Sequence, residues 1–111
     1  MYNEAELGYK KLIKLGCESP TIWMEYAYMM KKLNEPKEAI RLLQKGVNQN
    51  KNHSELLVRL GAYLFLDGQE NLARKYLHKA NSINPEINIK LFHHIPVLQN
   101  NDVFMKLLNL K

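Results

Sequence analysis

The sequence predicts an all-α chain built from helical hairpins, and three observations predict it. Gly and Pro fall at spaced intervals, at Gly16 and Pro20, Asn34 and Pro36, Gly68, Asn84 and Pro85, and Pro96. The segments between them carry apolar residues three and four apart, the helical period. No segment alternates apolar with polar residues for long enough to be a strand.

In chain order the helices are expected near residues 3–15, 21–33, 36–48, 54–67, 70–83, 86–94 and 101–110, about seven in all. Gly16 and Gly68 stand where a helix C-terminus favours a left-handed residue. Ser19 before Pro20, and Asn84 before Pro85, each place a capping side chain ahead of a proline at a first helical position, and Ser54 is placed to cap the helix after it. Pro96 removes a backbone donor and clashes with the preceding turn. A short helix therefore ends near His94, a turn runs from Pro96 to Asn101, and a last helix starts at Asp102.

The 111 residues make one domain by length, and 46% hydrophobic with 24% charged residues is a globular composition. Cys17 stands alone, so the chain has no internal disulfide and no cysteine-based zinc cage, which fits a reducing compartment such as the cytoplasm. Continuous apolar stretches such as Ala62 to Leu66 are far shorter than the roughly 20 residues that cross a bilayer, so no membrane partner is expected. Met1 is followed by Tyr2, Asn3 and Glu4 rather than by a basic segment and an apolar block, so no secretory signal is read. The net charge of +5 is spread along the chain without a block. A nucleic-acid binder concentrates its cations on one face or arm, so a solvated basic surface is the reading here.

The sequence repeats itself at 34 residues. Ala5, Ala39 and Ala73 fall in register, as do Lys11, Lys45 and Lys79, and Tyr9 meets Leu43 and Leu77. In the same register Trp23, Tyr26, Ala27 and Met30 meet Leu57, Leu60, Gly61 and Leu64. Small residues at 27 and 61, 39 and 73, and 46 and 80 sit where two helices must approach closely, with large ones filling the space around them.

At these residues the chain resembles the tetratricopeptide repeat family, whose pattern is W-x2-L-G-x2-Y, then A-x3-F, then a small residue and a terminal Pro. Residues 20–53 supply Trp23, Tyr26, Ala27, Met30, Ala39, Leu43 and Gly46, with Lys51 where proline is usual; residues 54–87 supply Leu57, Leu60, Gly61, Leu64, Ala73, Leu77, Ala80 and Pro85. Residues 1–19 read as the second helix of an incomplete repeat, and 88–111 as a degenerate repeat or C-terminal cap. The resemblance covers residues 4–87 well and implies one repeat domain over residues 1–111. That domain would be a right-handed superhelix, or α-solenoid, of antiparallel hairpins, and a segment of a longer array.

Little in the chain suggests chemistry. His93 and His94 are adjacent and point about 100° apart on a helix, which prevents an easy shared metal site. Cys17 lacks the flanking signature of a cysteine hydrolase, and no P-loop, dinucleotide fingerprint or nucleophile elbow occurs. The chain is expected to be no enzyme and to need no cofactor or metal.

The informative segment is 54–67, apolar nearly all round with Arg59 between Glu55 and Asp67. Such a helix needs neighbours on every side. Beside the hairpin stripe runs a second one, Val58, Ala62 and Phe65, in register with Met24, Tyr28 and Lys31. The resemblance implies that these first-helix positions line a concave surface touching a partner. The expected partner-binding residues are Met24, Tyr28, Lys31, Val58, Arg59, Ala62 and Phe65, for an apolar peptide or helix of a partner protein. Met24 and Tyr28 replace the Lys and Asn of a carboxylate-clamping subclass. Three occupants of the patch stay open: a partner, the chain's own last helix through Phe104 and Leu107, or a second copy. Rival readings are a regulatory segment packed on a catalytic domain absent from this chain, and helical-repeat binding of nucleic acid.

Overall fold

Left-handed backbone at Gly16, Asn34 and Gly68, with φ of 86°, 63° and 85°, marks the ends of three helices. The structure is a computed structural model that describes residues 2–16 and 19–109. It divides into two compact units, residues 1–51 and 52–111. The described residues contain helices and turns and no strand. Cys17 lies outside them.

The first unit holds α1 (Tyr2–Lys14), α2 (Pro20–Lys32) and α3 (Pro36–Gln49). The three residues Leu33, Asn34 and Glu35 reverse the chain between α2 and α3, which pack as a hairpin. Asn34 makes this possible by taking the left-handed conformation: its N–H donates to the Lys31 carbonyl at 3.1 Å and that of Glu35 to the Met30 carbonyl at 2.9 Å. Trp23, Tyr26 and Ala27 of α2 and Ala39, Leu42 and Leu43 of α3 are buried. The indole N–H of Trp23 donates to the Gln49 side-chain oxygen at 3.1 Å, so its polar atom is satisfied inside the hairpin.

The second unit repeats this construction and adds to it. It holds α4 (Ser54–Leu66), α5 (Glu70–Ile83), α6 (Ile87–His94), a 3-10 helix (Pro96–Asn100) and α7 (Asp102–Asn109). The α4–α5 turn is the α2–α3 turn moved by 34 residues: Gly68 N–H donates to the Phe65 carbonyl at 3.0 Å and Gln69 N–H to the Leu64 carbonyl at 2.9 Å. All six small residues of the register, Ala27, Gly61, Ala39, Ala73, Gly46 and Ala80, are buried. At Gly61 a Cβ would lie 2.7 Å from Leu77 Cγ and 3.2 Å from the Ala73 carbonyl oxygen, so only glycine lets α4 approach α5 this closely.

Beyond the hairpin, α6 packs on α4, and α7 packs on α5 and the 3-10 helix. Phe104 of α7 is fully buried, its ring centroid 5.0 Å from Phe65 and 6.5 Å from Phe92 in edge-on contacts. The His78 Nε2–H donates to the Leu107 carbonyl at 2.9 Å, satisfying one of the open carbonyls in the last turn of α7.

Three capping expectations need correction. Ser19 precedes α2, but its hydroxyl makes no capping bond. Ser54 is already the first residue of α4; the cap is His53, whose Nδ1 accepts from the Leu56 N–H at 3.2 Å. Asn84 closes α5 instead of opening α6: its side-chain oxygen accepts from the Glu86 N–H at 3.1 Å, a local turn through Pro85 that competes with helix and delays α6 to Ile87. The expected turn at 96–101 is wound as a 3-10 helix, and Asn101 caps α7 by accepting from the Phe104 N–H at 2.9 Å.

Candidate functional site

Glu55, Arg59 and Tyr63 recur four residues apart along α4 and share one face of it. Together with Ile89, Lys90, His93 and His94 of α6, the first two line an open cleft of about 540 Å³. Arg59 donates to a Glu55 carboxylate oxygen at 3.1 Å, and Lys90 Nζ lies 3.8 Å from the other. One carboxylate therefore serves two cations, which leaves the wall with an excess of positive charge. At the far end the Tyr63 hydroxyl and His94 Nε2 are 2.7 Å apart and the two rings stack with centroids 5.8 Å apart. His93 is exposed beside the cleft, and Ile89 is 61% exposed, an apolar side chain available to a ligand. Among the described residues no group of three or more His, Cys, Asp or Glu side chains is placed to hold a metal.

The expected partner-binding residues divide sharply. Val58 and Ala62 are fully buried and Met24 is 7% exposed, so these three offer almost no surface. Phe65 is only half-buried, but its ring is engaged by Phe104 of α7, the covering that the last helix was able to provide. In the first unit Tyr28 is exposed, with Lys32 Nζ 5.1 Å from its ring centroid, and Lys31 is half-buried. In the second, Arg59 is the member of the set that reaches the cleft. Ile89, Lys90, His93 and His94 were not expected there; a stripe on α6 is unreadable while that helix is known only as a degenerate repeat cut short by Pro96.

The first unit carries its own smaller depression of about 280 Å³, walled by Lys10, Lys14, Arg41 and Lys45 over Trp23 and Tyr26. Two of its four cations are already paired with carboxylates of the same unit. Lys10 Nζ is 3.0 Å from a Glu6 oxygen, and the Glu38 carboxylate accepts from Arg41, which holds that carboxyl below its ordinary pKa. Tyr26 donates to Glu6 at 3.4 Å and stacks on Tyr9, centroids 5.3 Å apart. Burial, then the Glu6 charge, raises the Tyr26 hydroxyl above its ordinary pKa, and burial followed by Glu25 does the same for Tyr9.

No protein-family model matches this chain, and no curated protein matches it. Among the described residues no helix is long and apolar enough to cross a membrane.

Proposed function

We propose that the chain is a protein-interaction scaffold of the tetratricopeptide type, its hairpins forming part of a right-handed α-solenoid, with no catalysis of its own. It takes a peptide or helix of a partner protein, and on the same reading it works in the cytoplasm. The recurrence of one hairpin turn after 34 residues, with the same small residues buried beneath it, supports the repeat assignment.

The observation that carries the function is the α4–α6 cleft. Arg59 and Lys90 share Glu55, and exposed Ile89 lies beside them. This surface suits a ligand with an acidic side chain next to an apolar one. An acidic group has two cations to meet, and the apolar group covers Ile89. The buried stripe of Val58 and Ala62 then serves the core, and docking rests on Arg59 with residues of α6.

Selection of peptides from a random displayed library against the folded chain tests the reading. A labelled selected peptide is then titrated by fluorescence anisotropy into the wild type and into Arg59→Glu and Lys90→Glu. Each charge reversal is expected to weaken binding by about tenfold or more, the worth of one charged contact of about 1.4 kcal/mol. Selected peptides that bind both variants with unchanged affinity would refute this site.

A further inference from the structure

We infer that the acidic group taken by the α4–α6 cleft is a phosphomonoester, so that a partner segment docks there when one of its serine, threonine or tyrosine side chains is phosphorylated. The inference rests on the reading of that cleft as a peptide site and deepens it by naming the anion.

The wall holds more donors than its own carboxylate uses. Arg59 commits one of the five N–H groups of its guanidinium to Glu55, at 3.1 Å, and makes no other hydrogen bond among the described residues. Its side chain is only 19% exposed, so the group is already ordered at the wall rather than trailing in solvent. Lys90 Nζ stands 3.8 Å from Glu55, near enough to feel its charge but beyond hydrogen-bond distance, so its ammonium N–H groups are also open to a ligand. His93 lines the same cleft, is exposed, and has no hydrogen bond or ion pair among the described residues. His94 differs, because its Nε2 is held 2.7 Å from the Tyr63 hydroxyl.

These groups distinguish one anion from another. Counting Glu55 against Arg59 and Lys90 leaves a single positive charge on the wall. A ligand carboxylate would repeat what Glu55 does, neutralising that charge through two oxygens and leaving His93 without a role. A phosphomonoester carries about −1.5 to −2 charge at neutral pH and three acceptor oxygens. Arginine meets two of those oxygens at once through its planar fork, and lysine acts as a point charge beside them. The second negative charge falls to His93, since histidine takes up a proton near neutral pH and a dianion beside it favours the charged form. The charged groups that share the cleft with His93 are Glu55 and Arg59 from α4 and Lys90 from its own helix; α5 and the 3-10 helix contribute none. Exposed Ile89 on the same wall receives the apolar residue next to the phosphate, and the cleft, at about 540 Å³, falls within the roughly 300 to 1,000 Å³ of small-ligand sites. A nucleic-acid phosphodiester has one charge per phosphate and gives His93 no such part.

Three peptide pools test this, random in sequence apart from a fixed central phosphoserine, glutamate or serine followed by leucine, each passed over the immobilised chain. The phosphoserine pool is expected to be retained most. Its best sequence, fluorescently labelled, is then titrated by anisotropy beside its glutamate and serine forms, and the phosphoserine form should bind at least about tenfold tighter than the glutamate form. Arg59→Glu and Lys90→Glu should each weaken the phosphoserine form by about tenfold or more. His93→Gln, at an exposed position, should leave the far-ultraviolet circular dichroism and the affinity for the glutamate form unchanged while removing most of the phosphoserine advantage. Phosphoserine and glutamate forms that bind alike, both lost in Arg59→Glu, would overturn the phosphate assignment and leave the cleft a peptide site. Equal retention of all three pools, unaffected by Arg59→Glu and Lys90→Glu, would overturn both. A phosphoserine advantage that survives His93→Gln intact, or displacement of the peptide by oligothymidylate at the same phosphate concentration, would also overturn the proposal, the latter in favour of nucleic acid.

Discussion

Gly61→Ala tests the close approach of α4 to α5, because the structure fixes what the added methyl meets. Its carbon would stand 2.7 Å from Leu77 Cγ, 2.9 Å from Leu77 Cδ2 and 3.2 Å from the Ala73 carbonyl oxygen. The oxygen belongs to the main chain of α5 and cannot rotate away. Leu77 is fully buried, so its branch carbon has no open space to enter. Overpacking of this kind costs about 1 to 3 kcal/mol. The fixed Ala73 oxygen and the buried Leu77 put that cost in the upper half of the range, about 2 to 3 kcal/mol, and alanine recovers about 1 kcal/mol of helix propensity over glycine, so the net loss should be about 1 to 2 kcal/mol. Urea unfolding followed by circular dichroism reads it as a lower midpoint at unchanged slope. Leu77→Ala alone removes a buried side chain and should cost about 2 to 5 kcal/mol. In the double variant the space left by Leu77 accepts the new methyl, so the combined loss should fall short of the two single losses added together by at least about 0.5 kcal/mol. A neutral or stabilising Gly61→Ala would mean that the helices part easily, and the steric account of the small-residue register would be wrong.

Trp23→Ala should destabilise the first unit by about 3 to 5 kcal/mol, read by the same unfolding experiment; a loss below about 1 kcal/mol would move Trp23 out of the core. Phe104→Ala should cost a similar amount in the second unit and make Phe65 more accessible, measured as faster amide exchange at the end of α4; unchanged exchange would separate α7 from that surface. At high pH the first unit should lose stability. The raised pKa of Tyr26 means that its neutral form is favoured in the fold, so its contribution is complete below the unfolded value near pH 10 and is lost as pH rises through the folded value. Tyr26→Phe should flatten that loss in unfolding measured across the same range; an equal pH dependence in the variant would assign it elsewhere.

Helix positions were legible because they depend on neighbours in sequence. Apolar spacing marked the seven α-helices of the described residues to within one residue at each end, and Gly16 and Gly68 marked two of the left-handed stops. Pro96 was enough to place the break after His94, because a proline beyond the first turn of a helix cannot donate the helical hydrogen bond and clashes with the preceding turn. Capping was less legible: several polar side chains near a helix start compete, and geometry chose His53 over Ser54.

What covers a residue was not legible, and so neither was the site. Val58, Ala62 and Phe65 form a stripe whichever way they face, and sequence spacing cannot say whether a partner, the core or a later helix meets it. Tertiary packing decided that: Val58 and Ala62 went inside, and Phe104, 39 residues further along, reached Phe65. The cleft had the same origin, since Glu55 and Arg59 on α4 meet Ile89, Lys90, His93 and His94 only once α6 has folded back. The sequence by itself determined the helices, their stops and the small residues that let them touch, all consequences of short-range sterics and periodicity. Only the tertiary structure decided which faces remain open, because exposure depends on what the distant chain brings against each face.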